Sequence, residues 1–308
     1  MHPLKGIFLK LASVALFVVM AAMVKAAVAH DVPPGEAVFF RSALAIPVIL
    51  VWLRVRGEFS TGLRMASPGA HLLRGLFGTA AMGMFFAALG LLPLPEVTAL
   101  GYTAPLLTVI FAALFLGERL RLFRLGAVVV GFAGVLIMLS PRIGAFDAGA
   151  LGTGATLGAG LVLLGATFRA LAQIAIRHMV ATEGTGAIVF WFSVTSAVLS
   201  LLTLPFGWVV PTGNELWLLV GAGLLGGVAQ IFLTSAYRFA HASVVAPFDY
   251  ASMLVSIAIG YAVFDEAPTW PMLGGAALVI AAGIVIMWRE NRLGMARDRA
   301  RAARTPQG

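Results

Sequence analysis

The stretch "LFLGERLRLFRLG" (Leu114–Gly126) sets one glutamate and three arginines inside a chain that is 60% hydrophobic and only 11% charged. A later stretch, "YAVFDEAPTWPMLGG" (Tyr261–Gly275), repeats its outline with the acid kept at Glu266 and the arginines gone. Laying Glu118 on Glu266 aligns residues 73–141 with 221–289 without a gap, at an offset of 148 residues. Gly75/Gly223, Gly78/Gly226, Ala81/Ala229, Ala88/Ala236, Tyr102/Tyr250 and Gly126/Gly274 then coincide. Upstream, "VFFRS" (Val38–Ser42) matches "VFWFS" (Val189–Ser193) at an offset of 151. Single alanine and glycine matches mean little in so apolar a chain, but an ungapped register across three helices does.

The composition names the solvent. A mean hydropathy of +0.98 leaves too little polar surface to cover a soluble 308-residue fold. Long apolar runs call instead for lipid, and the predicted class is an all-α integral membrane protein. The chain has no cysteine, which excludes a disulfide framework and any thiolate metal site. Its net charge of +8 lies in short loops and at the C-terminus. That is the pattern of a cytoplasmic excess of Lys and Arg rather than of a nucleic-acid surface.

Breaks rich in Pro, Gly or charge divide the chain into ten apolar segments, at about 4–29, 35–55, 71–91, 95–116, 122–140, 153–179, 186–208, 214–237, 243–264 and 269–289. The first resembles a signal peptide, with Lys5 before it and "AVA" (Ala27–Ala29) at its end. Lys10 and Lys25 interrupt that run, and its length suits a retained span. Arginines gather in alternate loops, with Arg54, Arg56, Arg64 and Arg74 flanking the second break, which places both termini in the cytoplasm. Five is odd, so the second half of a 5+5 repeat enters the membrane inverted, a plan shared by secondary transporters. The expected organisation is a first five-helix repeat at 1–141, an inverted second at 142–290, and a basic cytoplasmic tail at 291–308.

The close of the first half, "LFLGERL" followed by "LGAVVVGFAGVLIM" (Leu114–Met138), resembles the EamA branch of the drug/metabolite transporter superfamily. The second half carries a worn copy with Asp265 in place of Gly117 and Pro268 in place of Leu120. The resemblance implies that helices 1–4 and 6–9 surround a central cavity while helices 5 and 10 stand outside as supports. It also implies a bacterial-type inner membrane and export of amino acids, aromatic or hydrophobic ones first. Uptake of a larger metabolite such as S-adenosylmethionine or riboflavin is the alternative within the family.

Ionisable residues inside the bilayer are costly and mark cavities or partners. Arg169, Gln173 and Arg177 recur every fourth residue on the sixth helix and form one stripe. Two readings stand for Arg169: a seat for a substrate carboxylate, or a structural partner of Asp249. Arg41 lies too deep to snorkel and is read as cavity or gate. Lys25 is placed with Glu36 and Asp31 in an ion-pair cluster closing the outer side, or else snorkels. Gln230, Tyr237, Arg238, Asp249 and Tyr250 lie along the second-half hairpin of helices 8 and 9. Asp249, expected two turns into the ninth helix, is the candidate for proton coupling, with an ion pair to Arg238 or Arg169 as the alternative. Tyr102 and Tyr250 are repeat equivalents, and Trp191 with Phe85 would wall an apolar side chain. Pro105 and Pro247 offer bends for gating.

No GxxxxGK[ST] loop, HExxH pair or paired catalytic set occurs, so neither an enzyme nor ATP-driven pumping is expected, and no metal or other cofactor. A non-transporting receptor or an intramembrane enzyme is the reading from another class. The acids Glu118 and Glu266 read as topological markers, with the chemistry placed between the two loops.

Overall fold

The computed structural model describes residues 3–116, 122–147, 154–179, 182–239 and 246–302. The described residues are helical, without strands. The helices are α1 Pro3–Val28, α2 Pro34–Val55, α3 Pro68–Leu89, α4 Leu94–Gly101, α5 Thr103–Leu116, α6 Leu122–Asp147, α7 Gly154–Met179, α8 Thr185–Leu201, α9 Gly213–Phe239, α10 Ala251–Phe264 and α11 Trp270–Ala302. Proline sits in the first turns of α2, α3 and α4, where its missing N–H costs no intrahelical bond. Seven apolar helical segments are long enough to cross a membrane, with α4 and α5 counted as one, and three shorter ones complete ten. The chain is a multi-pass membrane protein.

Four departures from the expected spans have local causes. The fourth span breaks at Tyr102, because Pro105 has no N–H to offer the carbonyl of Gly101. The seventh ends at Leu201 rather than near 208, where a short 3-10 turn around Pro205 leads into Gly207 at φ +91°. The ninth opens as a 3-10 turn, Ala246–Tyr250, so Asp249 precedes α10 instead of lying two turns within a helix. The last helix runs on to Ala302, through alanines and arginines that favour helix.

Helix α1 runs along α9 and α3 along α7, while α2 lies against both α8 and α9. Val24 and Ala27 are fully buried in this packing, so α1 is a structural member of the bundle. Helix α6 pairs with α11, where a side chain on Gly134 would strike the Gly275 carbonyl. Such close backbone approach is how helices associate where lipid supplies no hydrophobic drive. The two broken spans meet at their breaks. The rings of Tyr102 and Tyr250 stand 5.0 Å apart, edge to face, and Tyr102 Oη is 2.6 Å from Ser252 Oγ. At one end of the bundle lie Val28, Pro34, Leu89 and Phe264, here called the Lys25 end; the turns at 56–67 and 182–184 lie at the other, the Glu183 end.

Candidate functional site

Polar side chains gather around the break before α10. Lys10 of α1, with 1% of its side chain exposed, holds Asp249 Oδ1 at 2.6 Å, while Asp249 remains 50% exposed. The alternative to proton coupling at Asp249, an ion pair with Arg238 or Arg169, finds a different partner among the described residues, Lys10. A side chain leaving a turn, rather than a helix face, reaches sideways to α1. Arg169 of α7 points its guanidinium over Phe85, 5.3 Å from the ring centre, and lies within the field of Asp249. The side chain is nevertheless accessible, as is Gln173 one turn on, so this stripe borders open space. Tyr102 and Tyr250 also lie within the field of Asp249. Lys10, Asp249, Arg169 and the two tyrosines therefore form one group, drawn from both halves of the chain.

Two clusters tie the helix ends together. At one end Lys25 Nζ meets Glu266 Oε1 at 2.8 Å and donates to the carbonyls of Leu89 and Leu92 at 2.9 and 2.7 Å. Glu266 Oε2 accepts the Leu94 N–H at 2.7 Å, at the start of α4. Lys25 thus neither snorkels nor joins Glu36 and Asp31, and Glu266 is more than a topological marker. Glu36 lies buried and accepts the Val209 N–H at 3.1 Å, fastening α2 to the segment before α9.

At the other end Glu183 accepts the N–H groups of Ala66 and Ser67, both at 2.9 Å, at the start of α3. His71 Nε2 stands 3.1 Å from the same carboxylate oxygen. Burial opposes the charge on Glu183, but the two amide bonds and His71 outweigh it and hold the carboxyl below its ordinary value of 4.5. Trp191, expected in the cavity wall, donates its indole N–H to Leu63 O at 3.0 Å and belongs to this end.

A third feature lies between the ends. Arg41 of α2 and Arg74 of α3 approach the same ring, Phe192 of α8, at 5.7 and 3.9 Å. Sequence reasoning counted Arg74 with the loop charges, because the third helix was started at residue 71; it starts at Pro68, which carries Arg74 almost a turn deeper. A side chain on Gly78 would strike Arg74 and Phe192, and one on Gly226 would press on Arg41. The two glycines are the repeat pair, and Arg41 and Phe192 are the pair matched at offset 151. Gln230 is half-buried on α9 and Pro105 is exposed in the first turn of α5. The side chains of Tyr237, Arg238 and Pro247, together with Glu118, lie outside the described residues.

Among the described residues, this arrangement holds no nucleophile paired with a base. Comparison with known proteins gives the family. The model of the EamA-like transporter family matches residues 4–140 and again 156–288. The chain belongs to the EamA-like transporter family. Its relatives include the pseudopaline exporter CntI of Pseudomonas aeruginosa (strain UCBPP-PA14), 32% identical over 91% of this chain and 95% of that protein. A riboflavin transporter of Rhizobium johnstonii is 32% identical over 84% of this chain and 83% of its own. An S-adenosylmethionine uptake transporter of Rickettsia felis is 29% identical over 83% of this chain and 84% of its own. A solved crystal structure shares the fold at TM-score 0.61 and 24% identity, over 92% of this chain and 98% of that one. This EamA-like protein is a small-molecule transporter and not an enzyme.

Proposed function

We propose that this transporter exports an amino-acid-like metabolite by alternating access between two inverted five-helix repeats, 1–141 and 142–290, with both termini in the cytoplasm. The double match of the family model and the mirrored contacts of Gly78 and Gly226 support the repeat. The arginine-bearing loops support the orientation, which makes the Lys25 end the outer one and the membrane the bacterial inner membrane.

One observation carries the substrate class: opposite charges, Arg169 and the half-exposed Asp249, lie within electrostatic reach beside the aromatic rings of Phe85, Tyr102 and Tyr250. A zwitterion places its carboxylate on Arg169 and its ammonium on Asp249, where it replaces Lys10. The rings receive an apolar or aromatic side chain. Protonation of Asp249 releases Lys10 in the same way, which is the route for proton coupling. The similarity to the pseudopaline exporter favours the outward direction; the riboflavin and S-adenosylmethionine relatives favour a second reading, uptake of a larger metabolite.

Counterflow into proteoliposomes separates the readings. Labelled phenylalanine, leucine, S-adenosylmethionine and riboflavin are each offered with and without a pH gradient. Amino-acid counterflow that is lost in Arg169→Gln, with folding retained, supports the zwitterion site. Counterflow of riboflavin or S-adenosylmethionine alone replaces it with the second reading. No counterflow of any of the four removes the substrate proposal.

A further inference from the structure

The cationic pair Arg41 and Arg74 is not used by the zwitterion site and has no ion-pair partner among the described residues. Arg41 is 4% exposed, and its Nε makes no hydrogen bond; the buried Nε of Arg74 makes none either. Among the described residues no carboxylate lies within ion-pair distance of either guanidinium. The two are close enough for the charge of Arg41 to act on Arg74, and both face one ring, Phe192. Buried charges are ordinarily paired, and buried polar donors ordinarily have acceptors. A like-charged pair brought together beneath the surface is stable only where something negative joins it.

The glycines show that this is a built feature. Gly226 leaves the room Arg41 occupies and Gly78 the room Arg74 and Phe192 occupy, at matched positions of the two halves. The matched position of Arg41 in the second half is Phe192, so the symmetry is broken at one point: an arginine faces an arene. Both guanidiniums lie within cation–π range of that one ring, Arg74 at 3.9 Å and Arg41 at 5.7 Å. Planar guanidinium forks of this kind select carboxylates and other oxyanions through paired N–H donors.

We infer that Arg41, Arg74 and Phe192 form a second anion site within the bundle, which takes a carboxylate group of the transported metabolite. The inference rests on the transporter reading and deepens it: amino-acid-like metabolites that carry a second carboxylate, beyond the one seated on Arg169, are held more tightly than those with one. Loading of this site neutralises the repulsion between α2 and α3, so an anionic substrate also stabilises the helices that hold it.

The test uses the purified full-length protein in detergent and its thermal unfolding midpoint, with citrate, glutarate or inorganic phosphate added at matched ionic strength. Citrate and glutarate raise the midpoint saturably. In Arg41→Gln and in Arg74→Gln the concentration for half effect rises at least tenfold, while in Arg56→Gln, an exposed control paired with Glu58, it is unchanged. Without added anion both glutamine variants unfold at or above the parent midpoint, because each removes one member of a repelling pair. A midpoint rise that survives both substitutions, a rise with phosphate alone, no rise in the parent, or lower anion-free midpoints in both variants each overturns the site. Failure here with amino-acid counterflow intact leaves the transporter reading standing. Anion binding at Arg41 and Arg74 without counterflow of any solute sinks transport and keeps the site.

Discussion

The two ends of the bundle are closed by the same device in different chemistry. At each end a carboxylate from the second half, Glu266 or Glu183, accepts backbone amides at the entry to a helix of the first half: Leu94 N–H at the first residue of α4, and Ala66 and Ser67 N–H just before α3. A negative charge there satisfies orphan donors and complements the helix dipole. The difference is the cation. Lys25 spends its three hydrogens on Glu266 and two carbonyls, whereas His71 makes a single contact, with Glu183. One latch engages every hydrogen of its ammonium; the other rests on two amide bonds and one imidazole contact. On the proposed alternating access the two open in turn, and their chemistry makes the Lys25 end the costlier to break.

Removing Lys25 has the largest effect. Lys25→Met leaves Glu266 and two carbonyls without their donor, and loss of one member of a largely buried pair costs about 3 kcal/mol. Thermal unfolding then falls by several degrees; an unchanged midpoint shows that the latch is not part of the folded state. Glu183→Ala ranks second, at roughly 2 kcal/mol for two charge-assisted caps. Its acid dependence is specific. Because the folded carboxyl titrates below 4.5, its contribution is complete above that pH and is lost as the pH falls through the depressed value. Denaturant unfolding of Glu183→Gln between about pH 6 and pH 3 shows a shallower acid limb than the parent, and equal limbs refute the assignment.

Two smaller changes sharpen the contrast by acting away from both latches. Tyr102→Phe keeps the ring pair with Tyr250 but loses the hydroxyl contact with Ser252, a loss of about 1 kcal/mol in stability. A loss beyond about 2 kcal/mol in chemical denaturation means that the hydroxyl carries more than its bond with Ser252 and its long, 3.4 Å donation to the Tyr250 carbonyl. Asp265 ends α10 at φ +56°, at the position where the first repeat has Gly117. Asp265→Gly relieves left-handed strain and stabilises by at most about 1 kcal/mol. Any loss of stability in that variant shows that the Asp265 side chain holds a contact of its own.

Most of the fold was legible because lipid simplifies the code. Apolar runs of bilayer length, broken by proline, placed the helices within a few residues. Arg169, Asp249 and the tyrosine pair were legible as well, since intramembrane charges and repeat-matched aromatics stand out in so apolar a chain. Their partners were not. Lys10 is separated from Asp249 by most of the chain, and Glu183 from Ser67 by a span pair and more, so no local pattern joins them. Arg74 was hidden by a helix start drawn at residue 71, past the actual start at Pro68. Glu266 was seen, but as a badge of the repeat; only the fold brings Lys25 and Leu94 to it. Spacing reveals which groups are unusual, and packing decides what they touch.

The absence of native cysteine makes the decisive measurement direct. A single cysteine replaces Gln173, on the accessible stripe of α7, and an impermeant maleimide is applied from each side of oriented membranes. Alternation between the latches predicts that Lys25→Met raises labelling from the outer face and Glu183→Ala raises it from the cytoplasmic face. Shifts in the same direction, or none in either variant, would contradict a transporter gated by its two ends.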